Sequence, residues 1–175
     1  DCNQWWWWQG DAWAGKTTLM AHLAADPLKY LSDDSKDLVR VAAVFLIRRE
    51  PANSDSDAFY NYLIPQLAKI AGLSTVEIPS DVQGSIAQFK RLLELAAAQT
   101  KLDADNEKMP DGGRLVILVD GLDEDQGPYQ PTSKQSVAAS LPESLPPNVR
   151  VIVASRPNPP LPIDVPPNHP LRAQV

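Results

Sequence analysis

The residues with the clearest chemical pattern form a short loop near the start of the chain. Residues 10–17 read GDAWAGKT and fit the phosphate-binding pattern G-x-x-x-x-G-K-[ST]. Gly10 and Gly15 allow the backbone to curl until its N–H groups point inward at phosphate oxygens. Lys16 adds an ammonium group beside the outer phosphates, and Thr17 adds a hydroxyl ligand for Mg²⁺. The candidate nucleotide-binding residues are Gly10, Asp11, Ala12, Trp13, Ala14, Gly15, Lys16, Thr17 and Thr18.

A second pattern combines a buried strand with a cluster of acids. The apolar run Leu115–Val119 ends at Asp120. An aspartate in this position of a phosphate-loop protein holds Mg²⁺ directly or through water. Asp123 or Glu124 would then polarise the attacking water as a general base, and the pattern does not choose between them. We interpret Asp125 as part of a solvated acidic loop.

Arginines follow two further apolar runs. Val149–Ala154 reads as a strand, and Ser155 and Arg156 follow it. An arginine there would reach the outermost phosphate and stabilise its charge. Arg48 and Arg49 end another strand at the same ligand edge, and we interpret them as surface or lid contacts outside the site.

The elements that must position these residues alternate between strands and helices. Apolar runs predict strands, and spacings of three and four predict helices. This alternation indicates an α/β fold, a mainly parallel sheet with helices on both faces, which is the three-layer P-loop NTPase arrangement. The predicted strands are 5–8, 39–47, 115–119 and 149–154, and the predicted helices are 15–25, 58–71, 85–99 and, more weakly, 133–141.

Some local features carry their own predictions. The tryptophans 5–8 predict a strand that is buried on both faces. Trp13 is expected to pack against a neighbouring strand, ahead of the alternative that it covers the nucleotide. In the helices, Leu19 and Leu23 should share one face, and Pro65 should kink its helix or delay its start. The acidic stretch 101–113 predicts a loop that ends in a turn.

Composition limits the class of protein. The 175 residues carry a net charge of −6, which argues against a general nucleic-acid coat. One cysteine excludes an internal disulfide, and no apolar run is long enough to cross a membrane. We therefore expect a cytoplasmic location, with no direct nucleic-acid or membrane partner. The lack of an initiator Met predicts a piece of a longer protein.

The three motifs together resemble the NACHT family of STAND nucleoside triphosphatases, most closely its actinobacterial forms. The match lies in Gln9–Met20, Leu118–Asp125 and Val149–Arg172. Gly121, directly after the metal-binding aspartate, is the most family-specific detail. The resemblance implies a switch that binds ATP or ADP with Mg²⁺, hydrolyses ATP slowly and controls assembly and signalling.

The resemblance also assigns roles to residues. Lys16 would contact phosphate, while Thr17 and Asp120 would hold Mg²⁺. Asp123 and Glu124 would form the acidic pair linked to hydrolysis. Arg156 would sense the terminal phosphate, and its strand would lie between the phosphate-loop strand and the Asp120 strand.

The domain expectation is a nucleotide-binding core over 1–155 and an extended, proline-rich connector over 156–175. The family's last strand and helical lid would lie beyond the sequence, and neither His22 nor His169 matches the lid histidine. Expected partners are nucleotide, other domains of the parent chain, and further copies on activation. The alternatives are a nucleotide-dependent oligomerisation scaffold without useful turnover and a P-loop kinase-type phosphotransferase.

Overall fold

A parallel sheet lies at the centre of the computed structural model, which describes residues 4–27, 38–109, 112–130 and 134–174. The strands within these ranges are β1 (Trp5–Gln9), β2 (Leu38–Phe45), β3 (Gly113–Asp120) and β4 (Val149–Ser155). The helices are α1 (Lys16–Ala25), α2 (Ser56–Ile70), α3 (Val82–Asn106) and the single turn α4 (Val137–Ser140).

The strand order is β1-β4-β3-β2, and every neighbouring pair is parallel. Phe45, Asp120 and Ala154 lie side by side across three strands, and Gln9 aligns with Ser155. All four strands therefore end at one edge, which receives the segments that follow them. This order confirms that the strand before Arg156 lies between the phosphate-loop strand and the Asp120 strand.

Helices cover both faces of the sheet. Successive residues of a strand point to opposite faces. Leu118 and Ala154 pack with Met20 of α1 on one face. Ile117 and Val119 pack on the other face in the cluster that contains α2 and α3. The result is a three-layer α/β arrangement, which confirms the predicted fold class.

The phosphate-loop side of the sheet is thinly covered. Met20 is fully buried, whereas Leu19 is exposed. Helix α1 begins at Lys16, and its phase turns Met20 toward the sheet.

The tryptophan run is likewise less buried than predicted. β1 is an edge strand in which Trp5 is buried while Trp6 is 36% exposed. Helix α1 packs mainly over β2, β3 and β4, so burial on both faces is wrong for Trp6.

The helices on the opposite face are longer than the sequence predicted. Asp55 caps α2 by accepting the Ala58 N–H at 3.1 Å, so α2 begins at Ser56 and Pro65 does not delay it. Helix α3 continues to Asn106 because Ala104 is fully buried; the loop predicted from 101 onward is wrong there. The helix predicted over 133–141 shortens to α4, and residues 131–133 lie outside the described ranges.

The proline-rich segment after β4 packs back onto the fold. Val165, His169 and Leu171 are buried, and the His169 ring lies edge-on to Trp5 with 5.4 Å between centroids. The expectation of an extended tract is therefore wrong for these residues, because their side chains close the core beside β1. No helix in the described ranges combines the length and the apolar character needed to cross a membrane.

Candidate functional site

The phosphate loop joins β1 to α1 and opens on the sheet edge. The N–H of Gly10 donates to the carbonyl oxygen of Ser155 at 3.2 Å and ties the loop to β4. Gly15 has φ 83°, the left-handed conformation that glycine adopts at little cost, and it precedes α1. The first turn of α1 contains no acidic residue, so its positive end is free to face an anion.

Lys16 closes this loop on itself. Its Nζ donates to the carbonyl oxygens of Gly10 at 2.6 Å and of Asp11 at 2.9 Å. The ammonium group therefore lies inside the curl of backbone that the motif predicts. The neighbouring loop residues are solvent-exposed; these are Asp11, Ala12, Trp13, Ala14, Gly15, Thr17 and Thr18.

Trp13 lies at the outer side of the loop. Its side chain is fully exposed, and its backbone has φ 69°. The prediction that Trp13 packs against a neighbouring strand is wrong, because the loop turns this side chain into solvent.

Asp120 lies at the end of β3, on the same sheet edge as the phosphate loop. Its carboxyl group is buried. Burial raises the pKa of Asp120 above its ordinary value, whereas the nearby Thr17 hydroxyl and the Lys16 charge oppose that rise. The charges of Asp123 and Glu124 raise this pKa further.

The Thr17 and Asp120 oxygens suit a magnesium ion. Mg²⁺ binds through one or two protein oxygens and completes its shell with water and substrate phosphates. Among the described residues, no three His, Cys, Asp or Glu side chains are arranged to hold a metal. A cation at this pair would therefore depend on phosphate oxygens supplied by a nucleotide.

Gly121 starts the acidic turn that follows β3. Its φ is 75°, and a Cβ at this position would lie 2.7 Å from the carbonyl oxygen of Leu46. Its N–H donates to the Ala154 carbonyl oxygen at 3.0 Å. Glycine thus lets the chain pass between β2 and β4 and enter the 3₁₀ turn Leu122–Glu124 at the sheet edge.

Asp123 forms a two-point contact with Arg156. One carboxylate oxygen accepts the Arg156 backbone N–H at 2.8 Å, and the other accepts Nε at 2.5 Å. The hydrogen bond to Asp123, and then its charge, raises the pKa of Arg156. The structure therefore brings these two predicted site residues together. Contact of Arg156 with a terminal phosphate stays a prediction.

Glu124 lies beside the same arginine. Its Oε2 accepts the backbone N–H of Arg48 at 2.8 Å, and its Oε1 lies 3.7 Å from Nη2 of Arg156. The Arg48 side chain donates through Nη2 to the Asp123 carbonyl oxygen at 3.0 Å.

Arg48, which we interpreted from the sequence as a surface or lid contact outside the site, therefore contacts two predicted site residues, Asp123 and Glu124. The sequence indicated that Arg48 follows a strand. It did not indicate the contact with Glu124, because that contact depends on β2 lying next to β3.

Asp125 is buried, which contradicts its interpretation as part of a solvated loop. Its side chain accepts the backbone N–H groups of Gly127 at 2.9 Å and of Val137 at 2.7 Å. Burial raises the pKa of Asp125 to about 6, against the effect of those two hydrogen bonds. The Asp-x-Gly spacing, typical of an Asx turn, is the sequence signal for the first contact.

A separate cavity of about 560 Å³ lies between α2, α3 and residues 139–144. None of the predicted site residues lines it. The predicted site residues therefore lie at the open sheet edge and not in this cavity.

Comparison with known proteins gives one family match. The family model described as "Nephrocystin 3, N-terminal" matches residues 1–156. This range contains the phosphate loop, the acidic turn and Arg156. No curated protein matches the chain.

Proposed function

Since the chain belongs to the nephrocystin 3 N-terminal family, we propose that it binds ATP or ADP with Mg²⁺ and hydrolyses ATP slowly. It would act as the switch module of a NACHT-type protein of the STAND class. One observation carries the proposal: the phosphate loop and buried Asp120 meet at the same sheet edge, because Gly10 bonds to Ser155 of β4 and Asp120 aligns with Ala154 of the same strand. Lys16 lies near enough to affect the pKa of that carboxylate.

The proposed roles follow from these positions. The N–H groups of the loop and the start of α1 would hold the phosphates, and Lys16 would leave its carbonyl partners for phosphate oxygens. Thr17 and Asp120 would hold Mg²⁺, which when bound supplies positive charge against the phosphate oxygens. Asp123 or Glu124 would orient the attacking water, and Arg156 would stabilise charge on the terminal phosphate.

Calorimetric titration with ADP, ATP and GTP, with and without Mg²⁺, tests this proposal. We expect magnesium-dependent binding of ATP and ADP that is tighter than binding of GTP. Lys16→Ala should weaken ATP binding at least about a hundredfold, since a charge-assisted contact to phosphate is lost. The exposed Lys69 of α2 provides a control, and Lys69→Ala should leave the affinity unchanged. Equal affinities of the Lys16→Ala variant and the unmodified chain would contradict the assignment.

A second candidate is a nucleotide-dependent scaffold without useful turnover. The observation that favours it is the engagement of the acidic pair by two arginines, which leaves neither carboxylate without a partner. Phosphate release separates the candidates. A rate well above that of Glu124→Gln supports the hydrolase, and equal background rates support the scaffold.

A further inference from the structure

The two carboxylates of the acidic turn have different surroundings. The Asp123 side chain is 4% exposed, and Arg156 occupies both of its oxygens. The Glu124 side chain is 34% exposed, and its one hydrogen bond within the described ranges joins Oε2 to a backbone N–H. Oε1 of Glu124 lies 3.7 Å from Nη2 of Arg156 without a hydrogen bond, so it is the carboxylate oxygen of this pair that can bind a water molecule.

The neighbouring acids are committed elsewhere. Asp120 is buried at the end of β3, where the proposed metal would bind. Asp125 is buried and points its two oxygens at Gly127 and Val137. Among the four acids from 120 to 125, Glu124 alone combines exposure with a fixed orientation.

The contact with Asp123 leaves the two Nη groups of Arg156 without a hydrogen bond to that carboxylate. Asp123 uses the backbone N–H and Nε of Arg156. Nη1 has no hydrogen-bond partner within the described ranges, and Nη2 lies 3.7 Å from Glu124. Because a guanidinium group is planar and rigid, a bond at Nε fixes the direction of both Nη groups. Asp123 can hold Arg156 and still leave two nitrogens for phosphate oxygens.

We infer that the acidic pair has divided roles, with Asp123 as a positioning residue for Arg156 and Glu124 as the carboxylate that receives the water proton. Arg48 is a second positioning residue, because its N–H orients Glu124 and its side chain holds the Asp123 carbonyl. This inference rests on the proposed function and assigns the roles within its site.

The chemical step balances with these residues. A lone pair of the water oxygen forms a bond to the γ-phosphorus, and a water proton passes to the Glu124 carboxylate. The bond between that phosphorus and the bridging oxygen breaks, and its electron pair stays on ADP. Glu124 then returns its proton to the phosphate product, and the carboxylate is restored.

Matched amide variants of the chain separate the two roles. Glu124→Gln should lower the rate of phosphate release at least about a hundredfold, while the ATP dissociation constant changes less than about threefold. Asp123→Asn should reduce the preference for ATP over ADP about tenfold, measured by calorimetry, because Arg156 loses its orientation. Arg156→Gln should cause the same loss of preference. The double variant should show no further loss, since both changes remove one unit.

Glu50→Gln is the control for removing a nearby charge. Glu50 is exposed and accepts a hydrogen bond from Asn53 in the turn that contains Arg48. This variant should match the unmodified chain in both binding and phosphate release.

Three results would overturn the inference while nucleotide binding stays intact. The first is an equal loss of hydrolysis in Asp123→Asn and Glu124→Gln without any change in nucleotide preference. The second is additive losses of preference in the double variant. The third is phosphate release by the unmodified chain no faster than by Glu124→Gln. Absence of nucleotide binding by the unmodified chain would instead overturn the proposed function itself.

Discussion

The phosphate loop and the acidic turn lie at the same sheet edge but are built differently. The loop is exposed along most of its length, and the helix that follows it buries Met20 alone completely. By contrast, Asp120 at the end of β3 is buried, as are Asp123 and Asp125 of the acidic turn. Backbone hydrogen bonds join this region to Leu46 after β2 and to Ala154 of β4. The phosphate loop is therefore open to solvent, whereas the acidic turn is fixed by buried contacts.

The difference in burial between the phosphate loop and the acidic turn fits different structural requirements of the two regions. Segments with few buried contacts open locally at low cost, which suits a loop that admits a ligand. Carboxylates that must meet reacting atoms need fixed positions, which buried hydrogen bonds supply. The left-handed glycines of the two regions, Gly15 and Gly121, give a direct way to test this difference.

The largest expected effect is that of Gly121→Ala. Both glycines have positive φ, so an alanine at either costs roughly 1–2 kcal/mol of backbone strain. At Gly121 the new Cβ would also lie 2.7 Å from the Leu46 carbonyl oxygen, whereas no atom of the described residues lies within 4 Å of it at Gly15. Gly121→Ala should lower the free energy of unfolding by about 3–4 kcal/mol, and Gly15→Ala by about 1 kcal/mol. Urea denaturation of both variants measures the two losses.

Similar losses for the two variants would contradict the comparison. That result would mean that β2 and β4 move apart at little cost, so that the acidic turn is no more rigid than the loop. A second readout, nucleotide affinity, applies to Gly15→Ala, because the loop N–H groups surround the proposed phosphate site.

A smaller, pH-dependent effect is expected at Asp125. Its pKa of about 6 in the folded chain exceeds the ordinary value of 3.8, so the folded chain binds this proton more strongly. The stability that Asp125 contributes is therefore complete below about pH 4 and is lost as the pH rises through 6. Relative to Asp125→Asn, which cannot ionise, the unmodified chain should lose about 2 kcal/mol between pH 4 and pH 7. Chemical denaturation across this range measures the difference.

Asp105→Asn is the control for this pH series, since Asp105 is exposed at the end of α3. It should leave the pH dependence of stability unchanged. A constant difference between the unmodified chain and Asp125→Asn from pH 4 to pH 7 would show that burial does not perturb this carboxyl group.

The features of the candidate site that depend on local order can be recognised in the sequence. Gly10, Gly15, Lys16 and Thr17 follow one another along one loop, so their pattern is recognisable without a structure. Strand alternation likewise predicted a parallel sheet, because strands joined by helices return in the same direction.

The contacts that the sequence did not predict join distant segments. Arg48 meets Glu124 only because β2 lies beside β3, and no local pattern encodes that pairing. The local sequence around Asp125 is typical of a solvated acidic loop. Its burial depends on α4, whose residue Val137 donates its N–H to the Asp125 carboxylate. The exposure of Trp6 follows from the position of β1 at the edge, which four apolar residues in a row do not reveal.

The smallest expected effect is that of replacing Trp13, which tests the exposure of the phosphate loop. Trp13 has a left-handed backbone that costs a residue with a side chain roughly 1–2 kcal/mol, and its fully exposed indole buries no surface that would offset this cost. Trp13→Gly removes this strain but adds freedom to the unfolded chain, so the free energy of unfolding should rise by about 0.5–1 kcal/mol. Trp13→Ala keeps the strain and should give no gain. A loss of stability in Trp13→Gly would mean that the indole packs on the protein in solution. The phosphate loop would then be more buried than its exposed side chains indicate, and its contrast with the acidic turn would be smaller.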